Sequence, residues 1–254
     1  MMNTDDLAER LLRAATDRTA TTPFAKDLGI TVDAAYDVQD AVLAKLGDPI
    51  VAAKLGLTSV AKQQQMKVDE PLYGWMTAPM FLGGEGRGIF ERNRFIQPRA
   101  EPEIAFFTGA DLAGPDVTAA DVLAATEAVA PAVDVLDSRF TGYEFSLADV
   151  TADNASAGGY VIGDPMPITG DLAVTGCVFE KNGDVIATAA GAAVMGNPAE
   201  AMAWFVRKLY QRGRSLVAGS LVLAGAWTAA APMEQGDVVR AIFDRYGAVE
   251  VTCR

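Results

Sequence analysis

Histidine is absent from all 254 residues of this chain. Ser-His-Asp and Cys-His catalysis are thereby excluded, as are metal centres ligated by imidazole. Cysteine is almost absent: Cys177 and Cys253 are the only two, and neither belongs to a CxxC pair. That argues against a disulfide scaffold or a zinc ribbon and for two reduced side chains in a cytosolic protein. Basic residues number 21 against 33 acidic ones, a formal charge of −12. The clustered Lys and Arg that neutralise a phosphate backbone are missing, so nucleic acid is not an expected partner. No run of about 18 apolar residues appears, and Met1 to Arg18 is charged and patterned as an amphipathic helix, not as a signal peptide. A soluble, cytoplasmic protein without membrane partners is expected.

Apolar residues make up 50% of the chain, enough for a substantial core. Leu7, Leu11, Leu12 and Ala15 recur at helical spacing over residues 4 to 17, with Thr4 as the expected cap. A second helix fits Asp33 to Leu46. Together they predict an N-terminal helical region over residues 1–50, followed by a mostly β body over residues 51–254. Helices are also expected from Thr118 to Val129 and from Pro198 to Arg212, the latter stopped by Gly213. Strands are expected at Ala132–Leu136, Gly159–Ile162, Ala173–Lys181, Asp184–Ala189, Ser220–Leu223 and Val238–Phe243, while Ile50 to Ser59 reads as a strand handing over to a loop. Asn182-Gly183 is a hairpin signal, because a type I′ turn needs positive φ at both central residues. The fold class is α+β.

Chemistry concentrates in two apolar segments. Glu101 and Glu103 alternate with Pro102 just before Ile104-Ala105-Phe106-Phe107, and Asp134 sits inside Ala132-Val133-Asp134-Val135-Leu136. On strands, Glu101 and Glu103 share one face, and Asp134 can meet them from a neighbouring strand. Glu-x-Glu alone also suits a solvated strand edge. Acids embedded in apolar runs, however, need a counter-charge, and a hard divalent cation is the natural one for three carboxylates. Lys54, within another apolar segment, is by itself equally a lysine whose ammonium reaches water.

Six ordered segments resemble one family. They are Lys54-Leu-Gly-Leu-Thr-Ser59, Arg99-Ala-Glu-Pro-Glu-Ile-Ala-Phe106, Val135-Leu-Asp-Ser-Arg139, Ala152-Asp-Asn-Ala-Ser156, Gly191-Ala-Ala-Val-Met-Gly-Asn-Pro198 and Gly225-Ala-Trp-Thr228. The chain resembles, over roughly residues 30 to 254, the 2-keto-4-pentenoate hydratase and 4-oxalocrotonate decarboxylase family of the fumarylacetoacetate hydrolase superfamily. The resemblance implies a mixed β-roll flanked by helices, with Mg²⁺ or Mn²⁺ held by Glu101, Glu103 and Asp134. Asp134 stands where hydratases usually have a glutamate, a shorter reach to the metal. Lys54 matches the family's active-site lysine, and Ser156 and Thr228 are implied as hydroxyl donors to the substrate carboxylate. The implied substrates are small 2-oxo or 2-hydroxy dienoic acids from meta-cleavage degradation of aromatic compounds. A homo-oligomer or a complex with a related hydratase is the implied assembly.

Two lyase reactions are compatible with this pattern. One is decarboxylation of 2-oxohex-3-enedioate through a metal-stabilised dienolate, and the other is hydration of 2-hydroxypenta-2,4-dienoate. Hydratases of the family commonly carry an aspartate in Pro-Asp-Phe/Tyr-Gly, whereas this chain has Pro71-Leu72-Tyr73-Gly74. Leu72 transfers no proton and supplies an apolar wall, and Tyr143 and Phe145 also match decarboxylases, so the decarboxylase is favoured. A non-catalytic partner subunit is a further alternative, opposed by the presence of Lys54 and all three acids, and carbon–carbon bond hydrolysis of an acylpyruvate is another, opposed by the absence of histidine.

Overall fold

The computed structural model describes residues 3–59, 63, 64, 68 and 70–254. In chain order the helices are α1 (Thr4–Asp17), α2 (Ala25–Leu28), α3 (Val32–Leu46), α4 (Ala119–Ala125), α5 (Leu147–Ala152) and α6 (Pro198–Gln211). The strands are β1 (Ile50–Gly56), β2 (Leu72–Thr77), β3 (Phe81–Gly83), β4 (Arg87–Phe90), β5 (Arg99–Thr108), β6 (Thr126–Leu136) and β7 (Ala157–Ile162). They continue with β8 (Gly176–Lys181), β9 (Asp184–Ala190), β10 (Leu221–Leu223), β11 (Ala231–Pro232), β12 (Val238–Phe243) and β13 (Gly247–Cys253).

Two mixed sheets form the body. The larger runs β2-β1-β10-β5-β6-β7-β3, with β11 also on β5, and the smaller runs β4-β13-β12-β8-β9. The pairs β1·β10, β3·β7 and β13·β4 are parallel and the others antiparallel. This is the expected mixed β-roll with flanking helices. Its main core joins Phe106, Val133 and Val161 of the large sheet, Phe179, Val239 and Val251 of the small one, and Phe205 and Leu209 of α6. The long, nearly all-buried strands β5 and β6 at its centre explain why the acids lie in apolar runs.

The N-terminal helices build a second cluster, in which Leu7, Leu11, Val38 and Val42 pack with Phe140, Ala148 and Ala152. Backbone N–H groups of Phe24 and Ala25 donate to Asp149 Oδ1 at 2.8 and 2.7 Å, fastening α2 to α5. Gln39 on α3 donates to the carbonyls of Tyr73 and Thr151, both at 3.0 Å. The helical layer thus holds β2 and α5 in place, and these two elements carry one wall of the cleft described below.

Several elements differ from the sequence expectation. The cap of α1 is Asn3, in a reciprocal capping box with Asp6, one residue before the expected Thr4. The helix expected to reach Val129 ends at Ala125, and Thr126 starts β6, because the segment from Thr126 pairs along β5 from Thr108 back to Arg99. That pairing outweighs the local helical pattern. Residues 172–174 form a short 3₁₀ turn, so the strand expected from Ala173 begins at Gly176. The strand β13, not expected, buries Val249, Val251 and Cys253 in strict alternation, a signal that was present in the sequence. At Asn182 and Gly183, φ is 54° and 88°, and Lys181 pairs with Asp184 as the hairpin reading required. Among the described residues no helix is long and apolar enough to cross a membrane.

Candidate active site

The register of β5 on β6 places Glu101 directly opposite Asp134, with Glu103 two residues further along β5. Residues i and i+2 of a strand share a face, so the three carboxylates converge. One oxygen from each lies within 4.8 Å of the others, and all three residues are buried. The cluster therefore exists as an enclosed site and not as a solvated edge.

Lys54 enters it from β1. Its ammonium is 1% exposed and ion-paired with Asp134 Oδ2. Burial by itself would lower the lysine pKa, but Asp134, Glu101 and Glu103 together hold it above the ordinary range. The bland reading of Lys54 as a solvent-reaching stem is thus excluded. Burial, then the neighbouring charges of Asp134 and Glu101, push the Glu103 carboxyl well above the usual carboxylate range.

Glu103 is held at one oxygen only. Its Oε2 accepts the Gly225 N–H at 2.7 Å, whereas buried Oε1 has no hydrogen-bond partner among the described residues. Gly225 has φ +108°, and a Cβ there would meet Thr58 Oγ1 at 2.1 Å, so only glycine brings this N–H to Glu103. A buried acid with one oxygen fixed, the other without a hydrogen-bond partner and two further carboxylates close by fits a divalent cation. The three oxygens lie close enough for one ion to draw them together, and an all-oxygen donor set selects hard ions such as Mg²⁺ or Ca²⁺.

Above this floor opens a cleft of ≈ 390 Å³. Lys54, Glu101 and Ser156 line its polar part. Leu57, Leu72, Phe145, Val150 and Ala155 form an apolar wall, and Arg99 and Tyr143 line the cleft beside it, the Tyr143 ring centroid 6.1 Å from that of Phe145. Leu72, expected from the sequence as an apolar pocket residue, is one of the residues that line this cleft. Thr228 is half-buried, is not among the lining residues, and donates its hydroxyl to the Ala229 carbonyl at 3.2 Å. Its neighbours Ala229 and Ala230 line the cleft instead.

Ser156 is delivered by a turn of unusual backbone. Asn154, Ala155 and Ser156 have φ of 50°, 55° and 54°, three consecutive non-glycine residues in the left-handed region. Each costs roughly 1–2 kcal/mol relative to right-handed backbone, so the surroundings must impose the shape. Asp153, buried, is ion-paired with Arg139 Nε and accepts the Arg139 N–H at 3.1 Å. Burial pushes its carboxyl up, against the pull of Arg139. The Ser156 hydroxyl donates to Asp153 Oδ2 at 3.2 Å, which turns its lone pairs toward other partners. On the edge strand β2, Asn154 imitates a neighbouring strand: its Oδ1 accepts the Trp75 N–H and its Nδ2 donates to the Trp75 carbonyl, both at 2.8 Å. The approach is so close that a Cβ on Gly74 would meet the Asn154 carbonyl oxygen at 2.5 Å.

This clamp yields a direct expectation. Asn154→Ala leaves two backbone groups of Trp75 without their partners and releases the left-handed turn, a loss of about 2–4 kcal/mol at about 1–2 kcal/mol per unsatisfied group. Denaturant unfolding measures it, and a change below about 0.5 kcal/mol would show that the turn holds itself. The roles of Arg99, Asn154, Arg139, Asp153 and Gly225 were not read from the sequence. All five fall within the six quoted segments, but only contact in space reveals what each one holds.

The chain is similar to known proteins over most of its length. The family model described as fumarylacetoacetate (FAA) hydrolase C-terminal matches residues 49–254. A 4-oxalocrotonate decarboxylase from Pseudomonas sp. is 38% identical, over 98% of this chain and 97% of that protein. A 2-hydroxypent-2,4-dienoate hydratase from Pseudomonas putida is 40% identical, over 81% of this chain and 95% of that one. The solved structure of 4-oxalocrotonate decarboxylase from Pseudomonas putida G7, complexed with magnesium and adipate, superimposes with a TM-score of 0.94 at 34% identity, covering 99% and 97% of the two chains.

Proposed function

The chain belongs to the fumarylacetoacetate hydrolase family, and on that premise we propose that it is a lyase that decarboxylates 2-oxohex-3-enedioate to 2-hydroxypenta-2,4-dienoate. The observation that carries this reading is the apolar wall around Leu72, in a cleft that Lys54 and Glu101 also line. The related decarboxylase structure holds magnesium and adipate, a six-carbon diacid, which supports a diacid substrate and a divalent cation here. Reduced, buried Cys177 and Cys253 suit the cytoplasmic setting we assign. For the assembly, a homo-oligomer or a complex with a related hydratase, edge strand β9 offers exposed Val185 and Ile186.

Loss of CO₂ breaks the bond between C5 and C6. The electron pair moves through C4 and C3 to the 2-oxo oxygen, where negative charge develops. Glu101, Glu103 and Asp134 would hold a divalent cation, which would supply Lewis-acid polarisation of that oxygen. Lys54, fixed by Asp134, brings a second positive charge to the same floor and holds a proton at Nζ that can pass to the substrate. Leu72, Val150 and Ala155 keep water from the departing carboxylate and leave its charge poorly solvated, which favours its conversion to neutral CO₂.

Hydration of 2-hydroxypenta-2,4-dienoate is the second reading, favoured by the equally similar hydratase relative. It lacks a proton-transfer group at Leu72. Protein supplied with Mg²⁺ and offered both compounds should release CO₂ from the diacid, and efficient hydration of the dienoate with the diacid untouched would reverse the assignment. Leu72→Asp sets a carboxylate beside the departing one, and the repulsion should lower decarboxylation about tenfold or more. Hydratase activity appearing in that variant would tie the choice of reaction to this position.

A further inference from the structure

Arg99 is the cation in the cleft that the reaction outlined above leaves without a task. Its guanidinium lies over the Tyr143 ring, 3.9 Å from the centroid. Among the described residues no carboxylate pairs with it and no acceptor takes its hydrogen bonds, whereas Lys54 is already engaged by Asp134. The platform is itself fixed, since the Tyr143 hydroxyl donates to the Gln97 carbonyl at 3.1 Å and burial keeps the phenol protonated. Arg99 precedes Glu101 by two residues on β5, so its side chain starts from the same sheet face, roughly 7 Å along the strand. A planar fork of donors, stacked and unneutralised in a protein of charge −12, is a receptor for a carboxylate.

A 2-oxo diacid has two carboxylates, and charge decides between them. The C6 group must surrender its charge as CO₂, and a guanidinium bound to it would hold it in the anionic form. The C1 group keeps its charge throughout. We propose that Arg99, seated on Tyr143, receives the C1 carboxylate of the 2-oxo acid and thereby turns the opposite end of the molecule toward Leu72, Val150 and Ala155. This rests on the 2-oxo acid reading given above. It makes Arg99 a specificity residue that sets the orientation of the substrate.

The test uses 2-oxopentanoate, which has a C1 carboxylate and no second one, titrated calorimetrically into the Mg²⁺-loaded protein. Arg99→Gln should weaken its binding roughly tenfold to a hundredfold, the value of one charge-assisted contact. Arg99→Lys should recover part of the loss, because charge returns but the fork does not. Thermal melts establish that both variants are folded, as expected for a side chain without hydrogen bonds in the fold. Unchanged 2-oxopentanoate affinity in Arg99→Gln, with KM for the diacid raised, would place Arg99 at the distal carboxylate and overturn the inference alone. Wild-type protein that binds no 2-oxopentanoate would overturn the inference together with the 2-oxo acid reading.

Discussion

Lys54→Met is expected to abolish most turnover and to destabilise the protein at once. Methionine fills a similar volume but leaves Asp134, fully buried, without the ammonium that faces it. Removing one partner of a buried ion pair costs about 3–5 kcal/mol, because the remaining charge stays desolvated. In a chain of this size that lowers the melting temperature by about 6–20 °C at about 2–4 °C per kcal/mol. Decarboxylation should fall about 10²–10⁴-fold, the usual worth of a positioned acid. The two readouts separate the roles. Lost stability with turnover kept within twofold would make Lys54 a structural counter-ion only.

Glu103→Gln should give the opposite stability effect with an equally severe loss of activity. The amide oxygen can still accept from Gly225, so the local backbone contact survives. Within the protein's own charges the Glu103 carboxyl is pushed well above the usual range, by burial first and then by Asp134 and Glu101. An acid whose pKa is raised on folding lowers stability at neutral pH, and that penalty fades as pH falls through its folded value. In EDTA at neutral pH the glutamine variant should therefore melt at or above the wild type. Mg²⁺ reverses the ranking. At about a hundred times its Kd it should add about 2.7 kcal/mol to the wild type, or about 5–10 °C, and almost nothing to the variant. Turnover in the variant should drop by at least about a hundredfold. An equal Mg²⁺ shift in both proteins would remove Glu103 from the metal site.

Both expectations rest on a cluster that was half legible in the chain. Glu101 and Glu103 share a strand face by simple alternation, and Asp134 stands inside an apolar run, so candidate buried acids were readable from local pattern, whereas their meeting in one site was not. The long helices and the Asn182-Gly183 hairpin were readable for the same reason, since periodicity and turn chemistry are local. Residues 126–129 were not, because their pairing partner lies on β5, at Thr108 to Phe106. A propensity spanning a few residues gives way when a long, buried ladder is available.

Composition and order of residues thus determined the chemistry this protein has at its disposal: no histidine, an acidic chain, three carboxylates and a lysine in apolar strands, and a leucine at the position of a possible proton donor. The tertiary structure alone decided which of these meet. Register set Glu101 against Asp134, the left-handed turn from Asn154 to Ser156 was bent to shape by Arg139 and Trp75, and Arg99 was left stacked and unneutralised beside the floor. The reason is physical. Identity and spacing specify what a side chain can do, but charge neutralisation, strain and burial depend on neighbours that lie far apart in sequence and become adjacent only when the sheet closes.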